Sequence, residues 1–163
     1  MIEYNEDKAH YLAITVIIVK DGKYLITKRA DWEKNMPGKW TVPGGKLEKS
    51  DYINTPKDTS EHWYNIFEKV AKREVKEEVN LDINHIGYVT SLAFIGNKNI
   101  PFIVVSLYAD WAGGEVKLED SMTEFAWISA DEVSKYDLIE GIDEEIKMLD
   151  KFLKEGKMIE WGS

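Results

Sequence analysis

The segment Arg73-Glu74-Val75-Lys76-Glu77-Glu78 is the most informative stretch of this 163-residue chain. It lies within residues 62–79, a run of good helix formers with an apolar residue at every fourth position: Phe67, Ala71, Val75 and Val79. At about 100° per residue these positions share one arc of a helix, and Glu74 and Glu78 fall at or inside its edge. The pattern therefore predicts a helix with two carboxylates on the side that faces the protein.

Carboxylates in such a place need a partner, because an isolated buried charge is costly unless it is paired, protonated or bound to a metal. Glu74 and Glu78 lie one turn apart with Glu77 at the flank, and together they offer the oxygen ligands that Mg²⁺ or Mn²⁺ prefers. Arg73 lies on the same flank, where its planar fork can orient a neighbouring carboxylate. Taken alone, the segment also fits the solvated, charged face of a surface helix.

The upstream segment Gly44-Gly45-Lys46-Leu47-Glu48 favours the metal site. Paired glycines after a short extended stretch let the backbone approach a ligand closely, and Glu48 adds a fourth carboxylate if the loop folds back. The two segments together resemble the Nudix box, which reads Gly, five residues, Glu, seven residues, then Arg-Glu-apolar-x-Glu-Glu-x-Gly-apolar. Its second half is matched by Arg73, Glu74, Val75, Glu77, Glu78 and Leu81.

Two departures from the box stand out. Its final glycine is Asn80 here, and asparagine is the usual second choice where a helix ends in left-handed geometry. The separation between Gly45 and Arg73 is about double the usual one, so residues 49–64 contain an insertion. The insertion is either a tolerated surface loop or a substrate lid, for which the candidate side chains are Tyr52, Trp63 and Tyr64.

The insertion leaves the middle glutamate of the box without a secure counterpart. Asp51 occupies its position counted forward from Gly45, Asn65 occupies it counted back from Arg73, and Glu61 lies nearby. All three remain open on the sequence alone.

The resemblance implies an α/β (α+β) fold, a Nudix-type α/β/α sandwich around a mixed sheet, formed by residues 1–163 as one domain. The pattern of elements agrees with it. A hairpin is predicted around Asp21-Gly22, and later strands and short helices are predicted from their composition: strands 86–94, 102–108 and 124–128, and helices 131–136 and 142–153.

The resemblance also implies a pyrophosphohydrolase that cleaves a nucleoside diphosphate linked to another moiety, with Mg²⁺ or Mn²⁺ neutralising the diphosphate and activating water. By carry-over, Glu74 and Glu78 are the main metal ligands, with Glu77 and the Gly44 carbonyl assisting. Arg73 then orients the carboxylates, while Gly45 and Glu48 support the cluster. The alternative is a catalytically silent domain that binds a nucleotide as a sensor or regulator.

Several residues outside the box are candidates for the remaining roles. The general base is left open among Glu77, Glu119, Asp120 and Glu124. Arg29 either meets a substrate phosphate or pairs with a surface carboxylate. Trp40 and Phe94 can stack on a base, although aromatic residues in strands more often belong to the core.

Composition limits the partners. A net charge of −9 argues against a nucleic-acid partner, because binding the phosphate backbone calls for clustered Lys and Arg. The absence of cysteine excludes thiolate zinc sites and cysteine nucleophiles. Without a signal-like start or a long apolar run, a cytoplasmic protein with a small nucleotide-type substrate and no membrane partner is expected. It is expected to be a monomer or a homodimer.

Overall fold

A seven-stranded mixed sheet forms the centre of the computed structural model, which describes residues 5–163. Residues 1–4, part of the predicted single domain, lie outside the described chain. The strands are β1 (Tyr11–Lys20), β2 (Lys23–Arg29), β3 (Trp40–Thr41), β4 (Gly44–Lys46), β5 (Asp82–Ile95), β6 (Pro101–Gly113) and β7 (Met122–Ile128). Their order is β3-β2-β1-β6-β5, with β4 added to β1 and β7 added to β2. Only the β1–β6 pair is parallel among the described strands.

Two long helices accompany the sheet, α1 (Ile66–Val79) and α2 (Ile142–Glu155). Short 3-10 helices cover Lys49–Asp51, Asn97–Asn99 and Ala130–Lys135. Across residues 5–163, no helix has the length and apolar composition needed to cross a membrane.

The helices lie on opposite faces of the sheet because β1 is apolar on both sides. Ile14, Val16 and Ile18 belong to the core that includes the buried face of α1. Ile17 points the other way and belongs to the core that includes α2. This α+β arrangement of a mixed sheet between two helices confirms the predicted fold class.

The predicted hairpin is confirmed. β1 pairs antiparallel with β2 across Asp21 and Gly22, which have φ values of 51° and 72°. β5 and β6 run further than the predicted strands 86–94 and 102–108, because their antiparallel ladder extends from Asp82 opposite Gly113 to Ile95 opposite Pro101. Hydrogen bonding between the two strands continues past the residues that the core buries.

The main helix differs from its prediction at its first turn. It begins at Ile66 rather than His62, since Asn65 has a left-handed φ of 57° that a helix cannot continue through. The expectation that Phe67 faces the core is wrong, because this residue is 37 % exposed and Val70 is buried in its place. The predicted left-handed C-terminus at Asn80 is confirmed by a φ of 61°.

Leu149→Ala tests the assignment of the buried face of α2. Leu149 is fully buried, so the variant should lower the free energy of unfolding by ~2–5 kcal/mol through lost contacts and a residual cavity. Leu153→Ala is the matched control, since Leu153 lies on the exposed side of the same helix, and its effect should stay within about 0.5 kcal/mol. Urea unfolding followed by circular dichroism measures both, and equal losses would contradict the assignment.

Candidate active site

The two central carboxylates of α1 lie beneath the glycine strand β4. Glu74 is only 8 % exposed, and a Cβ atom on Gly45 would overlap its carboxylate, so this position has no room for a side chain. The N–H of Gly44 donates a hydrogen bond to Oε2 of Glu78 at 3.1 Å. The structure therefore brings together the helix and the glycine pair that the sequence analysis joined only by resemblance.

Arg73 is the hub of the cluster. Nη1 donates to Oε1 of Glu74 at 2.8 Å and to Oε2 of Glu77 at 3.2 Å. Nη2 donates to the carbonyl of Lys46 at 3.2 Å and to Oδ2 of Asp51 at 3.0 Å, and Nε donates to Oδ1 of Asp51. All three guanidinium nitrogens are engaged, so Arg73 holds three carboxylates and the β4 backbone in one arrangement.

Of the three candidates for the middle glutamate of the box, Asp51 is the one that hydrogen-bonds to Arg73. Its side chain is 2 % exposed, and it also accepts a hydrogen bond from the N–H of Glu48 at 2.8 Å. Glu61 and Asn65 are exposed, and neither contacts Arg73 within the described residues. The carboxylate of Glu48 accepts a hydrogen bond from the hydroxyl of Ser50 and does not contact Arg73. Glu48 therefore supports the carboxylate cluster only through the turn, in which its N–H binds Asp51.

The insertion packs against itself. The rings of Tyr52 and Trp63 lie 5.3 Å apart, and the indole N–H of Trp63 donates to the carbonyl of Thr55 at 2.9 Å. Tyr52 and Trp63 are therefore partly buried against each other, and Tyr64 is the only one of the three candidate lid side chains that is exposed.

Burial raises the pKa of Glu78 to about 8, against the opposing hydrogen bond from Gly44. Repulsion from Glu74 and Glu119 adds to the rise, and Arg29 opposes it. Burial also raises the pKa of Glu74, although its ion pair with Arg73 lowers it in part. The cluster therefore holds more negative charge than its one arginine neutralises.

The donor set of this cluster fits a hard divalent cation. Glu74, Glu77 and Glu78 supply carboxylate oxygens beside the backbone of Gly44, and Mg²⁺ and Mn²⁺ prefer oxygen ligands. Within residues 5–163, no three His, Asp or Glu side chains already converge on one point. Arg73 engages only Oε1 of Glu74 and Oε2 of Glu77, so the second oxygen of each carboxylate remains available to a cation.

The other predicted site residues divide into near and distant groups. Glu119 lies beside Glu78, since its N–H donates to the Glu78 carbonyl at 3.1 Å. Arg29 is close enough to act on the pKa of Glu78, and it also donates to the carbonyl of Asn35 and to Oε2 of Glu33 at 3.4 Å, which is the pairing with a carboxylate that the sequence left open. Glu124 instead pairs with Lys28 across the sheet at 3.0 Å.

Asp120 is exposed in the loop after Glu119. Trp40 packs edge-on against Tyr136 with 5.0 Å between ring centroids and belongs to the core on the α2 side. Phe94 is 46 % exposed and stacks on Phe102 at 4.8 Å. Phe102, its partner, was not a candidate from the sequence, although the two residues end and begin the predicted strands 86–94 and 102–108.

Comparison with known proteins points to one family. The NUDIX domain model matches residues 9–152. The nucleoside triphosphatase NudI of Escherichia coli K12 is 24 % identical over 132 residues, covering 75 % of this chain and 84 % of that protein.

Solved structures share the fold. The MutT NUDIX hydrolase from Burkholderia pseudomallei superposes with a TM-score of 0.66 at 20 % identity, over 86 % of this chain and 98 % of that one. A NUDIX hydrolase from Alicyclobacillus acidocaldarius gives a TM-score of 0.67 at 15 % identity, over 86 % of this chain and 91 % of that one.

Glu78→Gln should change how the stability of the metal-free protein depends on pH. A carboxyl whose pKa is raised to about 8 stabilises the fold fully below its unfolded pKa, and this contribution is lost as the pH rises through 8. The neutral amide avoids that loss, so the variant should match the wild type near pH 4.5 and exceed it at pH 9 by at most about 5 kcal/mol. Urea unfolding with a chelator present measures this, and Glu155→Gln, at an exposed position, is the control. Parallel pH profiles for wild type and Glu78→Gln would contradict the prediction.

Proposed function

Because the chain belongs to the NUDIX domain family and is thus a hydrolase of phosphoric anhydride bonds, we propose that it cleaves a nucleoside triphosphate or a related nucleotide at its diphosphate. The observation that carries the proposal is the half-buried carboxylate cluster of α1 against Gly44, with one arginine to balance it. The nucleoside triphosphatase activity in the name of the E. coli relative supports the substrate class.

The residues that would hold Mg²⁺ or Mn²⁺ are Glu74, Glu78 and Glu77, with the carbonyl of Gly44. When bound, the cation supplies charge neutralisation to the diphosphate and Lewis acidity at the phosphorus that is attacked. The raised pKa of Glu78 supports this assignment, since burial and the repulsion from Glu74 and Glu119 that raise it are both effects that a bound cation would offset.

The chain's own residues supply position and proton transfer. Arg73 and Asp51 are positioning residues, because they act on the phosphate site by holding Glu74 and Glu77. Glu119 is the first choice for the base that takes a proton from water, since it lies beside Glu78 and is exposed. Glu77 is the second choice, because its carboxylate is shared with Arg73.

Two further residues support nucleotide binding. Arg29 lies near Glu78 with its side chain 22 % exposed, where a substrate phosphate would meet it. Phe94 offers an exposed ring, and base stacking on such a ring is tolerant of base identity. Trp40 is a weaker candidate because Tyr136 already covers one of its edges.

Glu78→Gln should abolish turnover without unfolding the protein. Mutating a residue that only hydrogen-bonds to a metal ligand typically costs about 10–100-fold in metal affinity or activity. Removing a ligand itself should therefore lower kcat/KM by more than about 100-fold. A panel of nucleoside triphosphates and nucleoside diphosphate derivatives is assayed with Mg²⁺ or Mn²⁺ for released phosphate or pyrophosphate. If the wild-type protein binds nucleotides but hydrolyses none of the panel, the result would instead support the alternative, a catalytically silent nucleotide-binding domain.

Asp51→Asn tests whether Asp51 serves as the middle acid of the box. Asparagine keeps the shape but not the charge, so Arg73 should loosen and kcat should fall by about 10–100-fold. Glu61→Gln is the matched control, because Glu61 lies in the same insertion and is exposed. Equal activity of the two variants would contradict a role for Asp51.

A further inference from the structure

The sheet face that carries α2 is organised in rows by the strand register. One row is aromatic: Tyr11, Phe102 and Phe94 lie side by side on β1, β6 and β5. The next row on the same face is Ala13, Val104 and Leu92, and the row after it is Thr15, Ser106 and Thr90. The face therefore changes from aromatic to polar over two steps along the strands.

Helix α2 covers only part of this face. Phe152, near its C-terminus, packs against Tyr108, and Glu145, in its first half, reaches Ser106. The helix does not cover the rows before Ser106, where Leu92 and Phe94 are both exposed by more than two fifths, and Nζ of Lys46 lies 5.3 Å from the ring centroids of Tyr11 and Phe102. We call this strip of the face, from the aromatic row over Val104 to Glu145, the groove.

Glu145 is a buried carboxylate that the hydrolytic site does not use. It is 3 % exposed, and its Oε1 accepts a hydrogen bond from Ser106 at 2.9 Å. Ser106 in turn accepts from the hydroxyl of Thr15 at 3.1 Å. Among the described residues, the fully buried side-chain polar atom without a partner is Oγ1 of Thr27. Oε2 of Glu145 accepts no hydrogen bond there either, and because it is not among the fully buried unpartnered atoms it retains some exposure.

The polar row also leads to the hydrolytic site. Thr15 lies opposite Gly44 on β4, and Gly44 binds Glu78. Neighbouring strands are about 4.8 Å apart, so Ser106 lies two strands, or about 10 Å, from Gly44. Glu78 lies on the α1 side of the sheet, so a nucleotide with its phosphates at Gly44 and Glu78 would pass the edge of β4 that pairs with no described strand before its base extends over β1 and β6.

We propose that Glu145 is a specificity-determining residue that accepts a hydrogen bond from the exocyclic amino group of the substrate's nucleobase. The base lies over Ala13 and Val104, between the aromatic row and Ser106. This inference rests on the proposed function and names its substrate class as nucleotides with an amino-bearing base, such as cytosine or adenine. Oε2 of this carboxylate, whose other oxygen is held by Ser106, repels the carbonyl that uracil or hypoxanthine presents at the same position.

The test compares bases that differ only in that group. With Mg²⁺, kcat/KM is measured for cytidine against uridine triphosphate and for adenosine against inosine triphosphate. Wild type should prefer the amino-bearing member of at least one pair by about tenfold or more. In Glu145→Gln the amide can donate as well as accept, so this preference should vanish or invert. Glu144→Gln, the exposed neighbour with the same charge change, should keep it.

A structural role for Glu145 predicts a different result. If Glu145 only ties α2 to β6, Glu145→Gln lowers the melting temperature and reduces kcat/KM for all four nucleotides alike, which would overturn the proposal. Ser106→Ala is the second variant, since it frees Glu145 without removing it and should weaken the preference in the same direction. Unchanged ratios in both variants would also overturn it.

Binding of cytidine and uridine monophosphate, measured by calorimetry, separates this inference from the proposed function. A preference for the cytidine compound that Glu145→Gln removes supports the groove even if no triphosphate is hydrolysed. Hydrolysis with no preference in either assay leaves the proposed function intact and rejects the role of Glu145.

Discussion

The ionic contacts of Arg73 are the constraint on which the rest of the site depends. One guanidinium serves Asp51, Glu74 and Glu77 and also binds the backbone of Lys46. No donor of Arg73 is left over for Glu78, so burial raises the pKa of that carboxyl with only the N–H of Gly44 hydrogen-bonded to it in opposition. Four carboxylates face one guanidinium, so the cluster is three positive charges short when all four are ionised, and divalent cations would offset this excess of negative charge.

The glycine strand β4 connects this charge to the sheet. Its backbone comes close enough to α1 that Gly45 can carry no Cβ, while Gly44 contacts Glu78 and pairs with Thr15 of β1. The proposed phosphate site on the α1 side and the proposed groove on the α2 side therefore adjoin the same two residues, Gly44 and Thr15. If both proposals hold, one small molecule is cleaved at one end and selected at the other.

Local chemistry accounts for the parts of the fold that the sequence predicted. The turn at Asp21-Gly22 and the left-handed end at Asn80 follow from residues that tolerate positive φ. The burial of Glu74 follows from helical periodicity. The same periodicity misplaced Phe67, because Asn65 starts the helix later and the buried stripe runs through Val70 instead.

By itself, the sequence determined the family, the order of elements and the four acidic and basic residues of the helix, because motif spacing and periodicity are local properties. Only the tertiary structure showed that Asp51, among its alternatives, hydrogen-bonds to Arg73, placed Glu119 rather than Glu124 beside Glu78, and turned Glu145 inward against Ser106. Each of these depends on which strands pair and in what register. That pairing is decided by the burial of distant apolar residues, and no short segment of the chain encodes it.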